Sequence, residues 1–391
     1  MNNKSIFIQI ASYRDTELLP TINDLLSKSS GQYPLFFGIC WQRDTSDNSL
    51  IEFTKKPNFR INDIHWSKSK GLGWARLESQ KLYNNEDYVL QIDSHSRFIE
   101  NWDIELVDML EKLKSKSEKP LLTTYGFPYE PEQSLQTKVL PYKLVPIAFK
   151  KSGTIFFEKH PIKNAKEPIN ARFIGGGFFF TVGSHCKEYV YDPNLYFAGD
   201  ELCLSLRSYT LGYDLYHPHK HILWHFYKRV NHIKHWNDHN RDKNKDIEKH
   251  WWETDAISKK RLIKLIEGQD LGIYGCGKIR SIKDYSIYAG IDFEKRRIIT
   301  EATEGKDPPV EYHENGFIKN QKIHIEVEKL PDSIYLVNFI NLEKKVVDAK
   351  IIDKNSNTVN IKSDHVVMKY DIIGNNKIIF SKELRQNIAW H

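Results

Sequence analysis

The chain has 391 residues, 40% hydrophobic and 28% charged, an ordinary globular composition with ample material for a core. Its formal net charge of +6 is mild, which argues against a nucleic-acid partner and suits small anions such as nucleotides. Cys40, Cys186, Cys203 and Cys276 lack any CxxC spacing, which excludes a cysteine zinc site and a disulfide framework. No apolar run approaches the roughly 18 residues that a membrane-spanning helix requires. The amino terminus enters an apolar run directly, so no signal peptide is expected. The expected location is cytoplasmic, with the inner membrane face open to it.

Ile6 to Ile10 reads as a strand, followed by Ser12-Tyr13-Arg14-Asp15, where Arg14 has Asp15 and Glu17 as near acidic partners. Leu18, Ile22, Leu25 and Leu26 have helical spacing. Leu35 to Trp41 and Asn62 to Trp66 read as strands, and Trp74 to Tyr83 as a helix behind Gly71-Leu72-Gly73. Tyr88 to Ile92 is a further strand and Asp103 to Leu113 an amphipathic helix. This alternation predicts an α/β class with a parallel sheet. Leu121 to Tyr125 is strand-like, and the proline-bearing stretch Phe127 to Lys150 is expected to run over the surface.

Phe173 to Phe180 reads as a strand interrupted by Gly175, Gly176 and Gly177, a sign of close approach by a ligand or a bulge in the sheet. Leu202, Leu206 and Tyr209 mark a helix ending at Gly212, for which Asp200 is a candidate N-cap. Tyr213 to Tyr216 is a short strand. His217, His219 and His221 alternate as they would on one strand face, which suits either a metal or a solvated edge. Residues 230 to 253 fit no element, and a helix covers Ile257 to Ile266, closed by Gly268. Trp251 and Trp252 are candidate stacking platforms for an acceptor, or core residues. After Pro308-Pro309 the runs Ile323 to Val327, Ser333 to Phe339, Val346 to Ile352, His365 to Tyr370 and Lys377 to Phe380 alternate with turns such as Gly374-Asn375-Asn376. They predict a small antiparallel β domain over 309–391 behind a larger domain over 1–308.

The chemistry centres on Asp93-Ser94-His95, at the carboxyl end of the Tyr88 to Ile92 strand, where α/β sheets bind ligands. Residues i and i+2 face the same way, so the carboxylate and the imidazole converge. Hard oxygen and imidazole donors suit Mn2+ or Mg2+ carrying a nucleotide diphosphate. The histidine-rich run 217–229 could supply a third ligand.

Several stretches together resemble the glycosyltransferases whose eukaryotic members attach GlcNAc to hydroxyproline in the cytoplasm. They are Ile10 to Asp15, Trp74-Ala75-Arg76, Gln91 to Phe98 with Trp102-Asp103, Gly177 to Phe180, Asp192-Pro193, Phe197 to Glu201, Arg207, and His225 to Arg229. Their order and spacing, over roughly residues 5 to 230, make the set more specific than any one motif. The resemblance implies a GT-A fold, a UDP-sugar donor, UDP-GlcNAc or a related UDP-hexosamine, a divalent cation, and retention of anomeric configuration. It implies that His225 joins Asp93 and His95 at the cation, by analogy with the mucin-type polypeptide GalNAc-transferases. Ser12, Tyr13 and Arg14 would line the uridine diphosphate pocket, with Arg76 and Arg229 at the donor and Gly176 and Gly177 letting the backbone approach its sugar. Asp200 and Glu201 would act on the sugar hydroxyls or the acceptor. Here the chain departs from the family, which usually carries Gly-Glu-Glu where Gly199-Asp200-Glu201 stands.

The expected activity is transfer of a hexosamine to a hydroxyl on a protein or glycan. A nucleotide-sugar hydrolase or phosphotransferase, and a catalytically dead carbohydrate-binding protein, are the rival readings on the same fold. The C-terminal domain is expected to recruit an acceptor, a partner or a second subunit, with peripheral membrane association and homo-oligomerisation both open.

Overall fold

The alternating apolar residues of the first strands shape a two-faced sheet. Ile6, Ile8 and Ile10 pack with Leu90 and Ile92 into one core, while Phe7 and Val89 enter another on the opposite face. The structure, a computed structural model, describes residues 4–326, 334–353, 358–374 and 377–384. The chain divides into two compact units. The first holds the chain up to Leu144 and Lys159–Tyr285, and the second holds Val145–Glu158 and the described residues from Ser286 onward.

The strands, in chain order, are β1 (Ile6–Tyr13), β2 (Leu35–Arg43), β3 (Phe59–His65), β4 (Tyr88–Asp93), β5 (Ser96–Phe98), β6 (Pro120–Thr123) and β7 (Phe127–Pro128). They continue with β8 (Tyr142–Phe149), β9 (Ile155–Pro161), β10 (Ile169–Asn170), β11 (Phe178–Val182), β12 (Asp214–His217) and β13 (Leu223–His225). An eight-stranded sheet of the first unit has the order β10-β12-β6-β11-β4-β1-β2-β3. Within it β4, β1, β2 and β3 run parallel. β11 is antiparallel to both its neighbours, β4 and β6. That reversal brings the start of β11 to the end of β4, with Phe178 opposite Ile92 and the Asp93 amide donating to the Gly177 carbonyl at 3.2 Å.

Helices Leu18–Lys28 and Trp102–Leu113 contribute Leu18, Ile22, Leu25, Leu106 and Leu110 to one core. The helix Asp200–Thr210 contributes Leu204 to the core on the other face, beside Tyr189, Tyr191 and Tyr213. A second, three-stranded sheet has the order β5-β13-β7, and its antiparallel β5–β13 pairing sets His225 opposite Ser96.

In the second unit, Lys319–His324 pairs with Thr358–Ser363. A four-stranded antiparallel sheet runs in the order Val346–Ile352, Tyr335–Ile340, Lys369–Gly374, Lys377–Glu383. Val337, Phe339, Tyr370 and Ile372 are among its buried core residues. The α/β class and the small C-terminal antiparallel sheets are as expected from the sequence.

Several expectations are corrected. The stretch from Phe173 is not a strand until Phe178, so the three glycines form the turn entering β11 rather than a bulge inside it. Phe127 to Lys150 is no surface excursion throughout, because β8 within it buries Leu144, Val145, Ile147 and Phe149. His217, His219 and His221 share no strand face, since β12 ends at His217 and the chain leaves the strand at Pro218 into a bend. The helix expected from Trp74 begins at Leu72 and ends at Gln80. Gly73 fits inside it because a Cβ there would lie 2.5 Å from the carbonyl oxygens of Asp192 and Leu195.

Gly199, with φ of 91°, occupies the N-cap position expected for Asp200, which is instead the first helical residue. The unplaced stretch 230–253 contains the short helix His235–Asp238 and the start of the helix Trp251–Ile266, which is longer than expected. The strand expected over His365 to Tyr370 begins at Lys369, and Thr358–Ser363 is a strand that the periodicity did not reveal. The expected strand positions Val327 and Ser333 and the turn residues Asn375 and Asn376 lie outside the described residues.

Candidate active site

Asp93 closes β4, and His95 sits with Ser94 in the short bend that leads into β5. The antiparallel partner β13 then lays His225 over the same point, with the Phe226 amide donating to the His95 carbonyl at 3.1 Å. The three side chains offer ligand atoms within 4.8 Å of one another. Among the described residues they are the group of three acids, histidines or cysteines that meets this spacing. His225 Nε2 lies 3.1 Å from Asp93 Oδ2, and the His95 and His225 rings meet edge to face at 4.6 Å.

Burial pushes His225 down to about 4, against the raising effect of Asp93, so its imidazole is neutral at physiological pH. Burial works against the Asp93 carboxylate, yet its hydrogen bond with His225 and the guanidinium of Arg76 hold it below the usual range. One carboxylate and two imidazoles form a donor set that Mn2+ accepts readily. The Nδ1 atom of His225 is buried without a hydrogen-bond partner among the described residues. The residues present therefore fit a divalent cation.

The glycine turn shapes the wall beside these ligands. A Cβ at Gly177 would stand 2.7 Å from Asp93 Oδ2, and one at Gly176 would stand 2.9 Å from Asp200 Oδ2. Only glycine admits this approach. The Gly176 carbonyl accepts from Arg76 Nη2 at 2.7 Å, and its amide donates to Glu201 Oε1 at 3.0 Å. Arg76 pairs closely with Asp200 and lies 3.6 Å from Asp93, so one buried guanidinium spans both acidic groups. Among the described residues Asp200 Oδ1 is buried without a hydrogen-bond partner. Glu201 accepts from the Tyr125 hydroxyl at 2.8 Å, and burial raises its carboxyl to about 7.

The other expected residues lie at the end of β1. Ser12 is buried, and its hydroxyl has no hydrogen-bond partner among the described residues. Tyr13 and Arg14 both donate to Asp238 at 2.9 Å, and Arg14 stacks over Trp66. Arg14 thus pairs with Asp238, and more loosely with Asp44, rather than with Asp15 or Glu17. Arg229 Nη2 lies 3.2 Å from Asp15. His217 stands apart from the cation ligands, bonded through Nδ1 to the Thr123 carbonyl at 2.7 Å.

Asp15, Tyr125 and Asp238 are site residues to which the sequence assigned no role. Asp15 stands in the Tyr13-Arg14-Asp15 motif, but nothing local shows that it turns back onto His95. Asp238 falls in the stretch that fits no periodic pattern.

The chain belongs to the GlcNAc glycosyltransferase family, whose model matches residues 5–57 and 50–295. The eight-stranded sheet is the GT-A sheet that membership implies. No curated protein sequence matches the chain. Among solved structures it is similar to GalNAc-T7 with UDP, GalNAc and Mn2+, at 14% identity and a TM-score of 0.46 over 73% of this chain. The match spans 55% of the GalNAc-T7 chain, little more than half its length. It is also similar to S. aureus TarS 1-349 in complex with UDP-GlcNAc, at 12% identity and a TM-score of 0.37, covering 68% of this chain and 73% of that one. No helix among the described residues is long and apolar enough to cross a membrane.

Proposed function

We propose that this protein is a cation-dependent glycosyltransferase that moves a hexosamine, GlcNAc in the first instance, from a UDP-sugar to a hydroxyl of a protein or glycan with retention of configuration. Family membership supports the reaction class. The observation that carries the cation dependence is the convergence of Asp93, His95 and His225 at the end of β4.

In this reading Asp93, His95 and His225 hold Mn2+ or Mg2+. The bound ion supplies Lewis-acid neutralisation of the diphosphate as its negative charge grows. Ser12, Tyr13 and Arg14 line the uridine diphosphate pocket beside β1, and Arg229 belongs to the same side. Arg76 stands between Asp93 and Asp200 and pairs with both. Gly176 and Gly177 leave room for the donor sugar where any side chain would collide with the acids.

Glu201, protonated below about pH 7, presents a carboxyl rather than a strong base to the sugar or acceptor hydroxyls. That agrees with front-face transfer, in which the departing phosphate takes the acceptor proton. We assign transfer to residues 1–308 and recruitment of an acceptor or a second subunit to residues 309–391, with the enzyme working in the cytoplasm or at the inner membrane face.

The test is calorimetric titration with UDP in the presence and absence of Mn2+, followed by UDP-GlcNAc and UDP-GalNAc. Binding of UDP that requires the cation is expected. Equal binding without it would remove the cation from the reaction, and sugar release to water in the presence of every acceptor would favour a hydrolase.

A further inference from the structure

We propose that Asp15 is a positioning residue of the cation centre, acting through His95 and Arg229. The inference rests on the cation reading above and goes beyond it, because Asp15 lies outside the three ligands. Asp15 follows β1 in an irregular segment and is 6% exposed. Its Oδ2 meets Ser94 Oγ at 2.6 Å, His95 Nδ1 at 2.7 Å and Arg229 Nη2 at 3.2 Å. Its Oδ1 accepts the Glu17 amide at 3.0 Å.

A carboxylate can only accept, so the Nδ1 of His95 is the donor in this contact. Nε2 is then left with its lone pair before any cation arrives. The ring is held in that orientation by a carboxylate which is itself fixed at three further points, Ser94, Arg229 and the Glu17 amide. Such a partner raises ligand basicity and spares the cation the work of ordering the side chain.

Arg229 adds a second link. It lies four residues beyond His225 on the segment that leaves β13, so the carboxylate that orients His95 also ties down the segment carrying the other imidazole ligand. Tyr13 and Arg14, immediately before Asp15, hold Asp238 of that same segment. The turn after β1 therefore clamps the residues after β13 at both ends, and Asp15 is the end that touches a ligand.

The experiment is titration of Mn2+ into the wild-type protein, Asp15→Asn and Asp15→Glu, with and without UDP, followed by calorimetry or by the electron paramagnetic resonance of free Mn2+. A stability control is Glu86→Gln, which weakens the ion pair of buried Glu86 with half-buried Arg60 at the far end of β4. Asp15→Asn is expected to weaken Mn2+ binding by about 10- to 100-fold. Asp15→Glu, which keeps the charge, is expected to lose less, and Glu86→Gln to lower the melting temperature without changing Mn2+ affinity.

Wild-type Mn2+ affinity in Asp15→Asn would overturn the proposal while leaving the three-ligand reading intact. Should that variant not fold, Asp15→Ser, which also removes the carboxylate, is titrated in its place, and wild-type affinity in it would do the same. If the wild-type protein itself binds no Mn2+, with or without UDP, the cation reading fails and the role of Asp15 fails with it.

Discussion

Arg76 and Asp200 form an ion pair whose side chains are only 4% and 7% exposed. The guanidinium also reaches the Gly176 carbonyl and approaches Asp93, so the pair joins the cation ligands to the acidic start of the helix Asp200–Thr210. Removing either charge from such a place leaves the other desolvated and uncompensated.

Arg76→Ala is accordingly expected to cost about 3–5 kcal/mol of stability, as breaking a buried pair typically does. Arg76→Lys should recover only part of this, because a single ammonium cannot span Asp200, Gly176 and Asp93 as the guanidinium fork does. Urea unfolding of the three proteins measures the order, and equal midpoints would mean that the pair is not held as described.

Asp93→Ala removes the carboxylate among the three cation ligands and should abolish the Mn2+ dependence of UDP binding. Transfer is expected to fall by on the order of 10²–10³ or more, the loss typical when a group that neutralises developing charge is removed. Titration calorimetry and initial rates check this, and full activity in the variant would refute the assignment of the site.

Gly177→Ala places a methyl group 2.7 Å from Asp93 Oδ2. The carboxylate or the turn must shift, at about 1–3 kcal/mol for overpacking of this kind. Cation affinity should fall together with stability, because the atom displaced is a ligand. Mn2+ titration beside thermal melting reads both. A variant that melts lower but binds Mn2+ as the wild type does would show that the turn yields instead of the ligand.

Glu201 supplies a prediction in pH. Burial raises it from an ordinary 4.5 to about 7, against the lowering effects of the Gly176 amide and the Tyr125 hydroxyl. Between those values the unfolded chain has lost a proton that the folded chain keeps. The stability contributed by the protonated group is thus complete below about pH 4.5 and is lost as the pH rises through about 7. Glu201→Gln does not titrate. The melting temperature of the wild type relative to this variant should therefore fall from about pH 5 to about pH 7 and level off above. A constant difference across that range would show that Glu201 ionises normally.

How much of this was legible depends on the residue. Asp93 and His95 could be placed because Tyr88 to Ile92 is an uninterrupted apolar run that announces a buried strand and its end. His225 could not be chosen from the histidine-rich run by spacing; only the family resemblance singled it out. What seats it is the pairing of β13 with β5, a register between segments more than a hundred residues apart. The glycines 175–177 were recognisable as a place of close approach, but their neighbours Asp93 and Asp200 appear only when β11 is found to run against β4.

By itself the sequence determined the α/β class, the strand that ends in Asp-x-His, the helices flanking it and the β-rich character of the C-terminal region. Apolar period and turn residues act over a few residues, and those features are written at that scale. Only the tertiary structure decided that Asp15 turns back onto His95 across 80 residues, that Arg76 stands between Asp93 and Asp200, and that Asp238 holds Tyr13 and Arg14. A carboxylate or guanidinium in a sequence carries no mark of its partner. Its partner is settled when the sheet order brings distant strand ends together, where burial makes an unpaired charge too costly to keep.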